Sequence, residues 1–98
     1  MRWYDPYPAL RAGLDGLAAA PPTHRREAVR QALATLESLD EGVLERHIDH
    51  FPLSARRRRW YDEDPETWLL FNGLRYAHDG CRAAVAQVLA EALTRAAA

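Results

Sequence analysis

Apolar residues recur at three- and four-residue spacing through most of the chain, and that period predicts helices. Leu10, Leu14 and Leu17 form one stripe, and Val29, Leu33 and Leu36 a second. Further on, Leu70 and Leu74 form a third, and Val85, Val88, Leu89, Ala92 and Leu93 a fourth. No stretch alternates apolar and polar positions for long enough to make a strand. Between the second and third stripes, Asp40 is placed to cap a short helix over 41–50, with Val43, Leu44 and Ile48 inward and Pro52 stopping it. The pattern therefore predicts an all-α fold of about five helices in one compact, bundle-like domain.

The stripes come in pairs because the chain repeats itself. Arg2, Trp3, Tyr4, Asp5, Pro8, Gly16, Leu17 and Ala20 recur 57 positions later as Arg59, Trp60, Tyr61, Asp62, Pro65, Gly73, Leu74 and Ala77. Beyond Pro21-Pro22 the identities favour an offset of 56, matching Arg26, Ala28, Val29, Gln31, Leu33 and Ala34 to Arg82, Ala84, Val85, Gln87, Leu89 and Ala90. A one-residue gap falls where a loop would tolerate it. The expectation is two duplicated αα-hairpins, 2–36 and 59–93, bridged by a connecting helix and arginine-rich linker over 37–58.

Within each copy, Asp5 and Asp62 are expected to cap the first helix, since a carboxylate there accepts from the free amides of the first turn. Pro8 and Pro65 suit that turn because their missing N–H costs nothing. Asp64, with Pro65 next, competes with Asp62 for the cap. Thr23 and Asp79 are the expected caps of the second helices, and the alanines 96–98 are expected to fray. The Trp-Tyr pairs ahead of the caps read first as aromatic pins holding hairpin ends to a shared core.

Composition narrows the choice of function. The chain has 98 residues, 48% of them hydrophobic and 28% charged, which suits one ordered globular domain. A formal net charge of −1 supplies no overall field to attract nucleic acid or an anionic membrane. All its basic residues are arginine, as codon bias in a GC-rich bacterial genome would produce. A single cysteine, Cys81, leaves no partner for an internal disulfide. Without a signal-like start or a spanning apolar run, the expected location is the cytoplasm and no membrane contact is expected.

Candidate chemistry is sparse. Arg56, Arg57 and Arg58 extend the repeated Arg59 into a basic run, but Asp62, Glu63, Asp64 and Glu66 follow at once. Those carboxylates cancel the field of the run beyond a Debye length of about 8 Å. His47 and His50 are three apart, so a helix would turn both imidazoles to one face, yet a structural zinc site needs about four ligands. Cys81 near His78 and Asp79 sketches a nucleophile with its base and acid. Its place in a helical first turn would lower its pKa, whereas its alanine-rich neighbourhood favours burial. No phosphate loop, nucleophile elbow or HExxH is present.

These residues predict a small helical module for protein interaction or self-association, a dimer being one form of it, with no cofactor and no catalysis. A nucleic-acid-associated regulator using Arg56–Arg58 and a metal-binding protein using His47 and His50 are the alternatives. Copy two carries Trp68, Phe71 and Tyr76 where copy one has Arg11, Leu14 and Ala19, so these aromatics are interface candidates wherever they reach the surface.

Overall fold

The computed structural model describes residues 2–40, 42 and 64–97. Four α-helices account for most of them: α1 (Pro8–Ala19), α2 (Pro22–Leu39), α3 (Pro65–Tyr76) and α4 (Asp79–Ala97). No strand occurs among the described residues. The connecting helix expected over 41–50 lies outside them. Helix α4 continues through Ala97, past the fraying point expected from sequence.

The helix starts correct three expected caps. Asp5 does not cap α1, whose N-cap is Tyr7 without a side-chain bond. Instead the 2–5 segment closes on itself as a turn. The Asp5 amide donates to the Arg2 carbonyl at 3.1 Å, and the Arg2 amide donates back to Asp5 Oδ2 at 2.9 Å. Pro21 precedes α2 and Thr23 sits inside it, because Pro22 at the first helical position needs no capping of an N–H it lacks. Asp79 is the first residue of α4 and pairs with Arg82 at 2.9 Å, while the His78 carbonyl accepts from the amides of Cys81 and Arg82. At α3 the competing cap is the one used: Asp64 Oδ2 accepts from the Thr67 amide at 3.1 Å and its hydroxyl at 2.7 Å. That second bond satisfies the hydroxyl of Thr67, which is buried.

All the leucines of the first and third stripes are buried: Leu10, Leu14, Leu17, Leu70 and Leu74. They meet Ala28, Val29, Ala32 and Leu36 of α2 and Cys81, Val85, Ala86, Leu89 and Ala92 of α4 in one core. At about 1.5–3 kcal/mol for each large side chain removed from water, this burial is the main force holding the helices together. Phe71 lies at the centre, fully buried, with the Tyr4 ring edge-on to it at 5.8 Å.

The packing runs between hairpins more than within them. Helix α4 packs extensively on α1 and α2, and α3 packs on α2, whereas α1 and α2 touch little. Gly13 and Gly16 let α1 approach α4 closely. A Cβ on Gly13 would stand 3.2 Å from Leu89 Cβ, and one on Gly16 would stand 2.9 Å from Leu93 Cδ1. Those contacts advance together along both helices, so α1 runs parallel to α4.

The hydrogen bonds also fix a register that the identities missed. Arg25 reaches back from α2 with Nε to the Leu17 carbonyl at 2.8 Å and Nη2 to Ala18 at 3.1 Å. Arg82 reaches back from α4 with Nε to Leu74 at 3.0 Å and Nη2 to Arg75 at 2.7 Å. Both the arginines and their acceptors are 57 apart. The structural counterpart of Arg82 is therefore Arg25, whereas the best run of identities pairs it with the exposed Arg26. Burial follows the same offset, pairing Ala28, Val29 and Ala32 with Val85, Ala86 and Leu89.

Candidate functional site

Tyr76 and Leu39 are the large hydrophobic side chains left exposed among the described residues, at 60% and 48%. Local structure brings their helices to one corner. Arg30 of α2 faces Glu66 of α3 at 3.7 Å, and nine or ten residues onward both helices end, at Leu39 and Tyr76. Helix α2 packs on α4 as well as on α3. The end of α2 therefore sits beside the tight turn at Ala77 and His78 that joins α3 to α4.

Each group at the corner has an identifiable constraint. The Arg75 guanidinium lies 5.6 Å from the centre of the Tyr76 ring, a cation–π distance that biases the ring's orientation. The Arg75 carbonyl is held by Arg82, and the Ala77 amide donates to the Leu74 carbonyl at 3.3 Å. Tyr76 is thus an exposed aromatic on a fixed backbone, which loses little freedom on binding. Glu37 and Asp79 are exposed at the same end, with Asp40 half-buried.

Beneath the corner Cys81 is fully buried, its Sγ 3.2 Å from His78 Nε2. Burial pushes the thiol above its ordinary value, the Asp40 charge adds to that, and Arg82 opposes both. Of the two expectations for this thiol, burial is the one the structure shows, and desolvation sets the direction of its shift. The Asp79 carboxylate goes to Arg82 instead of His78, so the sketched Cys–His–Asp arrangement is not assembled. Here the thiol is a buried packing group with one polar partner.

The first Arg-Trp-Tyr-Asp motif works at the core's edge. Tyr4 is 3% exposed, with Trp3 edge-on to it at 5.3 Å. Arg2 lies 4.7 Å over the Tyr4 ring and bonds both Asp5 and, at 2.8 Å, Asp15 of α1. Arg2 is partly desolvated, which opposes protonation, but its bond to Asp15, the Tyr4 and Asp5 interactions and the Asp15 charge still raise its pKa. Asp5 is held below the usual carboxylate range by the Arg2 amide and then, against partial desolvation, by the Arg2 side chain. The bonds of Arg2 and Asp5 tie the motif to itself and to α1.

Of the three aromatic candidates, Trp68 and Phe71 are buried and only Tyr76 is on the surface. Phe71 takes the place Leu14 holds in copy one, so its size enlarges the core. Leu39 joins Tyr76 without having been singled out. Its only sequence signal is its place one turn beyond Leu36, where α2 ends and its neighbours no longer cover it. The Arg56–Arg58 run, His47, His50, and the second motif residues Arg59, Trp60, Tyr61 and Asp62 lie outside the described residues. Among the described residues no group of three or more His, Cys, Asp or Glu side chains converges on a metal position. None of the described helices is long and apolar enough to cross a membrane. Comparison with protein-family models, curated proteins and solved structures finds no match.

Proposed function

We propose that this chain is a small helical interaction module that binds a protein through the corner formed by the ends of α2 and α3. The observation that carries the reading is Tyr76: a large aromatic held 60% exposed on a fixed helix end, with the exposed Leu39 ending the helix packed against it. Tyrosine is among the residues that dominate binding when buried by a partner. The buried, protonated Cys81 adds support, since the most reactive residue type nearby is used for packing.

The scaffold is read as a duplicated hairpin. The paired arginine bonds of Arg25 and Arg82 and the shared 57-residue burial register support that reading. After duplication the copies are free to diverge on the surface while keeping the core, and the corner is where large side chains have replaced small ones. The test is a Tyr76→Ala, Leu39→Ser double variant. Its melting should match the wild type, and its association, measured by solution mass and by cross-linking to a native partner, should be lost. Retained association with intact folding would overturn the proposal.

A further inference from the structure

The corner's counterpart in the other copy lies at the opposite end of the molecule, and it is a hole. A cleft of about 200 Å³ there is lined by Ala19, Pro21, His24, Leu93 and Ala96, among others. With the 57-residue register, Ala19 stands where copy two has Tyr76. In the reciprocal position, Ala96 of α4 stands where α2 has Leu39. Two similar corners thus differ in size at the same two positions, large and protruding at one end and small and recessed at the other. A space of about 150 Å³ is enough to hold a benzene ring.

The ends are far apart and oriented for stacking. The Tyr76 corner is at the first turn of α4, the cleft at its last, and 19 residues of helix separate them by about 28 Å. Charges match as well. Glu37 and Asp40 flank Leu39 on one end, while Arg95 precedes Ala96 beside the cleft on the other. Arg75 over Tyr76 would meet the partial negative charge at the C-terminus of α4.

We infer that the occupant of the cleft is a second copy of this chain, Tyr76 of one molecule entering the cleft of the next; this rests on the interaction reading of the Tyr76 corner. Because the two surfaces differ and lie at opposite ends, the contact is heterologous and propagates head to tail instead of closing as a two-fold dimer.

The experiment uses the full chain and native mass spectrometry with light scattering over a concentration series. Wild type should form species beyond the dimer as concentration rises. Tyr76→Ala removes the protrusion, and Ala19→Glu, at an exposed position, blocks the cleft with a charge that repels Glu37 and Asp40. Each should weaken association about tenfold or more, with unchanged melting. Mixed, the two variants should form a one-to-one heterodimer and stop, because one keeps only a cleft and the other only a protrusion.

A mixture that remains monomeric, or a wild type that stops at dimer or never associates, overturns head-to-tail assembly. If Tyr76→Ala abolishes association and Ala19→Glu does not, the corner remains an interface but its occupant is not the cleft. If neither variant matters, the corner reading falls too.

Discussion

Replacing Arg82 by methionine should destabilise the fold more than any other substitution of a single charged residue among those described. Its side chain is 14% exposed and holds three acceptors: Leu74 O at 3.0 Å, Arg75 O at 2.7 Å and Asp79 Oδ1 at 2.9 Å. The guanidinium carbon also lies 4.8 Å from the centre of the Tyr7 ring. Hydrogen bonds to a charged group contribute about 1.5–3 kcal/mol each, but the Asp79 bond is near solvent and water can reach some of the freed carbonyls. A net loss of about 3 kcal/mol is the reasoned figure, since methionine keeps the apolar stem. For a domain near 100 residues that lowers Tm by about 12–20 °C. Arg82→Lys keeps the charge without the planar fork and should lose about half as much. Arg25→Met should cost about 2 kcal/mol, having carbonyl acceptors on Leu17, Ala18 and Ala20. Arg26→Met should stay within about 0.5 kcal/mol, as exposed positions do. Urea unfolding followed by circular dichroism measures all four. An Arg82→Met loss below about 0.5 kcal/mol, or equal losses for Arg25→Met and Arg26→Met, would refute both the energetics and the 57-residue register.

The remaining expectations address the helix contacts, a cap and a titration. Gly13→Ala should cost about 1–2 kcal/mol, because the new methyl meets the immovable Leu89 Cβ; Gly16→Ala should be near neutral, its contact being the far end of half-buried Leu93. Equal effects in thermal melts would contradict this. Asp64→Ala removes the cap of α3 and the partner of the buried Thr67 hydroxyl, so a loss of about 1–2 kcal/mol should appear in the same melts. Cys81 has a raised folded pKa, so the native state holds its proton longer than the unfolded state does. Stability is therefore full below the ordinary thiol pKa of about 8.5 and falls as pH rises above it. A Cys81→Ala variant should lose that part of the alkaline decline, and an unchanged pH profile would count against a buried thiol.

Much of this protein follows from the order of its residues alone. Period and punctuation locate the four described helices, though α2 and α4 run three and four residues past their expected ends, because leucine stripes and prolines act over one turn and need no distant partner. The repeat of Arg-Trp-Tyr-Asp is equally local information. What a side chain bonds to across space is not. Asp5 looks like a cap but closes a turn with Arg2, since α1 begins only at Pro8 with Tyr7 at the cap position. Identities pair Arg26 with Arg82, yet only Arg25 reaches the carbonyls at the end of α1. The sequence leaves Cys81 between a dipole-lowered thiol and a buried one, and packing decides for burial. The candidate site shows the same division. Trp68, Phe71 and Tyr76 stand 57 positions after Arg11, Leu14 and Ala19, but period alone could not say that two complete the core and one stands in water. That depended on which helix ends had neighbours to cover them, a property of the assembled bundle.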